Sequence, residues 1–273
     1  MRHAIMVIGS GKNAEVLQKT IKHLDDEKID FYIHWDKKFK RPVLKSNYSK
    51  IFFIDSRKVR WGSGTLVLVE RDLLKSVYNS KYNYDYVHLI SSSDIPLMTK
   101  EFFKTFFTKN LYLGFAPERK DTVERVKYYY PTDFINAKSI LGKIIIKMSK
   151  IVNKVLKINR LNDKNIVINK GCQWFSIKEN YVKKILQFDH IEMFKNTFAS
   201  DELYLQTVLD KYKVGISEDD CGMAARYIDW KRGQPYVFTT DDINELRKVV
   251  NTKYAFARKV FDPSLLGKIF ETK

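Results

Sequence analysis

The stretch Tyr84-Asp-Tyr-Val-His-Leu-Ile-Ser-Ser-Ser-Asp-Ile-Pro96 decides which fold this sequence predicts. Its middle, Tyr86–Ile90, is rich in β-branched and aromatic residues, which is typical of a strand buried on both faces of a parallel sheet. The strand ends in three serines, Asp94 and a proline that cannot continue a central strand. Ligands of open α/β sheets bind beyond the carboxyl ends of the strands, so we expect a ligand at Asp94. A tight turn that only caps the following helix would leave the same pattern.

The segments around this strand predict the rest of an α/β domain. Strands are predicted at Ala4–Ile8, Phe31–Asp36 and Ile51–Asp55, and apolar residues at helical spacing predict helices at about 13–24 and 65–78. This alternation indicates a mostly parallel, twisted central sheet flanked by helices. Asp36 ends one of the strands, where a carboxylate either binds a ribose hydroxyl or faces solvent. With no repeat or linker in the sequence, we predict one domain over 1–273.

The composition narrows the class of protein. The 273 residues are 44% hydrophobic and 14% aromatic, which is enough for a packed core. Cys172 and Cys221 form neither a disulfide framework nor a metal-ligand spacing, so we expect reduced thiols and a cytoplasmic protein. No apolar run reaches the roughly 18 residues of a membrane span, and no signal peptide is evident. The 49 basic and 32 acidic residues give a net charge of +17, which predicts a polyanionic partner.

Residues 134–162 concentrate this charge, because they include seven basic residues and no acidic one. One predicted helix face carries Lys143, Lys147, Lys150, Lys154 and Lys157, and another carries Leu141, Ile144, Ile145, Met148, Ile151, Val152 and Val155. A basic amphipathic helix can lie in an anionic membrane interface. It can equally be a core helix with its lysines outward. Both interpretations stay open for 138–160, so a peripheral position on the inner face of the cell membrane is possible.

Seven segments together resemble the core-2/I-branching β-1,6-N-acetylglucosaminyltransferase family (glycosyltransferase family 14), as a bacterial-type member. They are residues 31–38, 59–62, 86–96, 171–176, 200–202, 226–230 and 256–259, which follow the family's order over nearly the whole chain. The resemblance implies a GT-A-type nucleotide-sugar-binding fold, with a nucleotide-binding half at about 1–115 and an acceptor and catalytic half at about 116–273. It also implies an inverting transfer from a UDP-sugar (N-acetylglucosamine, xylose or similar) to the hydroxyl of a glycan or lipid-linked glycan, as in bacterial surface polysaccharide assembly. No metal and no other cofactor is implied, and Ile95 stands where metal-dependent relatives carry a second carboxylate after Asp94.

The resemblance also assigns roles to individual residues. Glu202 matches the general base, in a segment where the family's proline is missing. Ser200 is the predicted N-cap of the helix that opens there, with Asp201 matching the charge of the helix N-terminus. Arg258 and Lys259 stand at the end of the phosphate-binding segment, and Trp61 replaces a family tyrosine. The implied donor contacts are Val7, Ile8, Gly9, Asp36, Trp61, Asp94, Arg232, Arg258 and Lys259. The implied acceptor contacts are Arg125, Trp174 and Asp201.

A nucleic-acid-binding protein without catalysis is the alternative function that the net charge of +17 leaves open. The basic residues concentrate in one amphipathic segment, however, and no aromatic RNA-binding motif is present. We therefore expect no nucleic-acid partner.

Overall fold

The computed structural model describes residues 1–162 and 165–271. The strands in this part of the chain are β1 (His3–Gly9), β2 (Ile29–Trp35), β3 (Ile51–Phe53), β4 (Tyr86–Ser91), β5 (Asp94–Pro96), β6 (Leu111–Leu113), β7 (Phe175–Lys178), β8 (Arg226–Ile228) and β9 (Phe256–Arg258). The α-helices are α1 (Glu15–His23), α2 (Gly64–Tyr78), α3 (Lys100–Phe106), α4 (Lys120–Lys127), α5 (Ile140–Val155), α6 (Asn180–Leu186), α7 (Tyr204–Val208), α8 (Asp220–Met223), α9 (Ile243–Arg247) and α10 (Ser264–Phe270). Short 3₁₀ turns lie at Ile191–Phe194, Ser200–Glu202, Asp210–Tyr212 and Thr240–Asp242.

The central sheet has six strands in the order β3-β2-β1-β4-β7-β6. β1 pairs in parallel with β2 and β4, and β2 pairs in parallel with β3. β7 is antiparallel to both of its neighbours, β4 and β6, so the sheet is mixed. The α/β class and the mostly parallel sheet are confirmed in this form. β7 comes from the second half of the chain, yet it lies between two strands of the first half.

The strand that decided the prediction, β4, is buried along its whole length. It lies next to β1, whose end needs a glycine. A Cβ on Gly9 would lie 2.2 Å from an atom of the Trp35 ring, so any larger residue would displace this strand end. The carbonyl of Gly9 accepts a hydrogen bond from the amide of Asp36 at 2.9 Å. The carboxyl ends of β1 and β2 are therefore joined.

A second, smaller sheet has the order β5-β9-β8 and is joined to the first by a buried arginine. Arg226 of β8 is 1% exposed, and it donates hydrogen bonds to the carbonyls of Leu89 at 3.1 Å and Phe175 at 2.5 Å. Burial lowers the pKa of this guanidinium to about 10. Because these carbonyls belong to β4 and β7, Arg226 fixes the small sheet against the large one, and with it the strand that carries Arg258.

The helix α5 does not pack its apolar face into the core, so the interpretation of 138–160 as a core helix is wrong. Gly142 and Asn153 are its buried residues. A Cβ on Gly142 would lie 2.0 Å from the carbonyl oxygen of Asn136, and the Asn153 side chain bonds to both backbone groups of Tyr129. The helix is thus held by close backbone approach and polar contacts. Over the described residues, no helix combines the length and apolar character that crossing a bilayer requires.

Candidate active site

The carboxyl ends of β1, β2 and β4 form one edge of the central sheet. Ser92, just after β4, donates its amide to the carbonyl of Ile8 at 3.3 Å. Asp36, just after β2, is buried and accepts amide hydrogen bonds from Lys38 at 3.0 Å and Val59 at 3.4 Å. The structure therefore brings the predicted donor contacts Val7–Gly9 and Asp36 to the same edge.

Asp94 is almost fully buried, and both of its carboxylate oxygens are bonded. Oδ2 accepts the amide of Ser91 at 2.7 Å, and Oδ1 accepts the hydroxyl of Ser91 at 2.7 Å and Nη1 of Arg258 at 2.8 Å. Thr99, not Asp94, caps the following helix α3, so the helix-capping alternative is wrong. Asp94 closes the turn after β4 and holds the Arg258 side chain, whose guanidinium carbon lies 4.3 Å from the ring centroid of Trp174.

Three cationic side chains gather beside this edge. Lys259 is half-buried next to Arg258, and burial together with the charges of Arg258 and Lys138 lowers the pKa of its ammonium group. The ammonium of Lys138 lies 4.8 Å from the ring centroid of Trp61. Like charges held together in a partly buried place are costly unless an anion joins them. Nothing in the sequence pointed to Lys138 as a site residue, because its approach depends on how the chain between α4 and α5 folds.

Trp61 lies in the loop before α2 and links the cations to the segment that carries Glu202. Its side chain is half-exposed and packs edge-on against Phe198, with ring centroids 6.0 Å apart. Gly62 has a φ of 68°, a conformation that glycine adopts without strain. Its carbonyl accepts the amide of Ala199 at 2.8 Å. The loop with Trp61 and the turn with Glu202 therefore form one unit.

Glu202 lies at the end of the 3₁₀ turn with its side chain 36% exposed. Its Oε2 accepts a hydrogen bond from Nη1 of Arg125 at 2.9 Å and lies 3.5 Å from Nζ of Lys170. Its own carbonyl accepts the amide of Gly171 at 2.9 Å. The turn is thus fixed by main-chain and side-chain bonds, and Oε1 has no hydrogen bond to the residues that the structure describes. A positioned, accessible carboxylate of this kind can accept a proton.

The neighbouring carboxyl groups have a different environment. Oδ1 of Asp201 is buried without a hydrogen-bond partner among the described residues, and so are both oxygens of Glu70 on α2. Burial, followed by the charge of Glu202, raises the pKa of Asp201 to about 7. Burial and the charge of Asp201 raise the pKa of Glu70 well above its ordinary value. Two carboxyl groups with buried oxygens therefore lie near Glu202, and no motif in the sequence points to Glu70.

Ser200 is not the N-cap that the sequence predicts. It lies inside the 3₁₀ turn, is fully buried, and its hydroxyl has no partner among the described residues. Ala199 precedes it with a φ of 49°, so the chain enters the turn in the left-handed region and α7 begins only at Tyr204. The missing proline does not prevent a tight turn, but the turn is 3₁₀ rather than a capped α-helix.

Arg232 is held apart from the other cations by acidic partners. Its guanidinium forms ion pairs with Asp229 at 2.5 Å, Asp242 at 3.2 Å and Glu245 at 2.6 Å, and lies 4.2 Å from the ring centroid of Tyr236. These carboxylates offset its charge. The donor contact assigned to Arg232 stays a prediction, as do the acceptor contacts of Trp174 and Asp201.

The two cysteines, which no spacing rule connects in the sequence, meet in the structure. Both are buried and free, with their sulfur atoms 2.9 Å apart. Cys172 follows Gly171, whose amide bonds to the carbonyl of Glu202, so the thiol pair lies close to the candidate base. Over residues 1–162 and 165–271, no group of three or more His, Cys, Asp or Glu side chains is arranged to hold a metal ion.

Comparison with known proteins identifies the family of this chain. The family model described as "Core-2/I-Branching enzyme" matches residues 3–248. The chain therefore belongs to the Core-2/I-branching enzyme family, a family of glycosyltransferases, and the resemblance seen in the sequence is confirmed.

Relatives with curated names are distant. Xylosyltransferase 2 of Homo sapiens is 23% identical over 302 residues, which cover 99% of this chain and 33% of that protein. Xylosyltransferase 2 of Mus musculus is 22% identical over 299 residues, with the same coverage of 99% and 33%. The chain thus spans about a third of the length of these relatives.

Proposed function

We propose that this protein is an inverting, metal-independent glycosyltransferase with a GT-A-type fold. It moves a sugar from a UDP-sugar to a hydroxyl of a glycan, in polysaccharide biosynthesis. The observation that carries the proposal is the bonding of Asp94. The carboxylate of Asp94 is already bonded to Ser91 and Arg258. The charged groups that this strand edge offers to a diphosphate are therefore the fixed cations of Arg258 and Lys259. Such cations stabilise a departing diphosphate without a metal.

In this proposal Glu202 is the general base. Its carboxylate takes the proton of the acceptor hydroxyl while the hydroxyl oxygen attacks the anomeric carbon of the donor sugar. The bond from that carbon to the diphosphate oxygen breaks, and UDP leaves with the electron pair, beside Arg258 and Lys259. One displacement inverts the anomeric configuration. Arg125 and Lys170 orient Glu202 through Oε2, which leaves Oε1 for the acceptor.

The donor contacts follow from the same geometry. The strand end at Val7–Gly9 and the carboxylate of Asp36 suit the nucleoside, since both lie at the edge where α/β sheets bind nucleotides. Trp61 offers an accessible ring next to Lys138, where the transferred sugar or the diphosphate can pack. N-acetylglucosamine and xylose are the sugars that we would test first, the latter because the named relatives are xylosyltransferases.

A thermal-shift panel with UDP and several UDP-sugars in EDTA tests this proposal. A ligand that binds only the folded state stabilises it by about 2.7 kcal/mol at a concentration of 100 times Kd. We expect UDP and one UDP-sugar to stabilise the wild type without added metal, and Lys259→Ala to weaken that effect. Lys248→Ala, at an exposed lysine of another element, is the matched control and should behave as wild type. Stabilisation that appears only with manganese, or with no UDP compound at all, would contradict the proposal.

A further inference from the structure

The apolar side of α5 faces solvent. Seven of its aliphatic and methionine side chains are between 48% and 81% exposed: Ile140, Leu141, Ile144, Met148, Ile151, Val152 and Val155. Phe134, just before the helix, is 74% exposed. A groove of about 530 Å³ along the helix is bordered by Phe134, Ile144, Met148 and Val152 together with Tyr129 and Tyr130. Soluble proteins rarely leave so many large apolar residues of one element uncovered, so the face indicates an interaction surface.

Lysines flank this apolar side. Lys150 and Lys154 form ion pairs with Glu124 of α4, at 2.5 Å and 3.4 Å. Lys143 and Lys147 are exposed and form no ion pair with a described residue, so no described carboxylate neutralises their charges. An apolar stripe with cations beside it is the pattern of a helix that lies in the plane of a membrane interface.

We propose that the exposed face of α5, with Phe134 beside it, docks on an anionic lipid bilayer. Nucleic acid would match the lysines but would leave the apolar side uncovered. A second copy of this chain would match the apolar side but would bring two rows of lysines together. An anionic bilayer satisfies both, because the apolar side chains enter the headgroup and acyl boundary while the lysines contact lipid phosphates.

This surface adjoins the candidate site on its acceptor side. Glu124, which holds α5 through two lysines, is next to Arg125, which holds Glu202. Lys138, two residues before α5, approaches Trp61 and lowers the pKa of Lys259. Resting on the proposed function, a bilayer at α5 would therefore present a glycan carried by a lipid next to Glu202.

Flotation with vesicles tests the docking independently of catalysis. We expect the full chain to float with vesicles of phosphatidylglycerol and phosphatidylcholine at low salt, and to be released at high salt, because the Debye length falls from about 10 Å at 0.1 M to about 3 Å at 1 M. Vesicles of phosphatidylcholine alone should bind much less. Absence of binding to the anionic vesicles at low salt would overturn the proposal, whatever the outcome with UDP-sugars.

Matched variants separate this face from the overall charge. Each lysine near an anionic leaflet strengthens binding about fivefold, so Lys143→Glu with Lys147→Glu should weaken it by at least about 25-fold. Lys211→Glu with Lys248→Glu changes the net charge equally, at exposed lysines of other elements, and should have a small effect. Equal weakening by both pairs would overturn the assignment to α5.

The apolar side has its own test. Ile144→Ser with Ile151→Ser keeps the charge and replaces residues that are both 53% exposed, so folding should be retained, as circular dichroism would show. We expect this variant to float less than wild type. A wild-type dimer in sedimentation that this variant dissociates, without loss of vesicle binding, would show that a second copy covers the face and would overturn the proposal.

Discussion

The candidate site contains two aspartates at tight turns, and their surroundings are opposite. Asp94 has both carboxylate oxygens bonded, to Ser91 and to the guanidinium of Arg258. Asp201 has a buried oxygen without a described partner, and Glu202 adds negative charge beside it. A buried carboxyl group that accepts hydrogen bonds and pairs with a cation holds that cation in place. A buried carboxyl group without such partners takes up a proton more readily.

This difference divides the site into two sides. On the donor side, the three cations of Arg258, Lys259 and Lys138 outnumber the single carboxylate of Asp94, which leaves positive charge to meet an anion. On the acceptor side, Oε1 of Glu202 has no hydrogen bond to a described residue, which suits a place where a proton must be taken up. Four predictions test this division, beginning with the largest expected effect.

The first prediction concerns the bonded aspartate. Asp94→Ala should lower the free energy of unfolding by about 3 kcal/mol, because removing one partner leaves the Arg258 charge partly buried and unpaired. Asp72→Ala, which breaks the exposed ion pair with Arg57, is the control and should cost less than about 1 kcal/mol. Urea unfolding of both variants measures the difference. Equal losses would mean that Asp94 is not the anchor of the donor side.

The second prediction separates Glu202 from Asp201. Glu202→Gln should lower turnover by at least ~10² with little change in UDP affinity, since a general base contributes about 10²–10⁴ to the rate. Asp201→Asn, one residue away, should lower it much less. Steady-state rates and UDP titrations measure both. The reverse order of effects would transfer the role of base to Asp201.

The third prediction follows from the pKa of Asp201, which rises from 3.8 to about 7 in the folded protein. A carboxyl group with a raised pKa stabilises the fold while it is protonated, and this stability is lost as the pH rises from about 4 through 7. Relative to Asp201→Asn, whose side chain does not titrate, wild-type protein should therefore lose stability between pH 5 and pH 8. Unfolding midpoints of both proteins at pH 5 and pH 8 measure this difference. The same change in both proteins would contradict the raised pKa of Asp201.

The smallest effect is expected at Glu70. Its raised pKa has the same sign, so Glu70→Gln should stabilise the protein at pH 8 more than at pH 5. Thermal unfolding of Glu70→Gln and of wild-type protein across this pH range measures this effect. A gain that does not depend on pH would point to packing rather than charge.

Much of the fold was predictable from local patterns. Short apolar runs and their spacing predict the strand β4, the helix α2 and the strand ends at Gly9 and Asp36. The inverted strand β7 did not follow, since its direction depends on the long connection from β6, through α4 and α5, rather than on its own residues. The prediction of Ser200 as an N-cap was wrong because Ala199, in the left-handed conformation, redirects the chain. Helix-capping preferences of single residues do not reveal such a change of direction.

The sequence by itself determined the family, the order of the segments and the candidates Glu202, Arg258 and Lys259, because motif residues keep their spacing along the chain. Tertiary structure alone decided which of these charges meet. It paired Asp94 with Arg258, gave Arg232 three carboxylates, placed Glu70 behind Asp201 and brought Lys138 to the site. It also exposed the apolar side of α5, which periodicity could not assign. The physical reason is that burial and pairing are set by contacts between residues far apart in the chain, and periodicity reports only neighbours along one element.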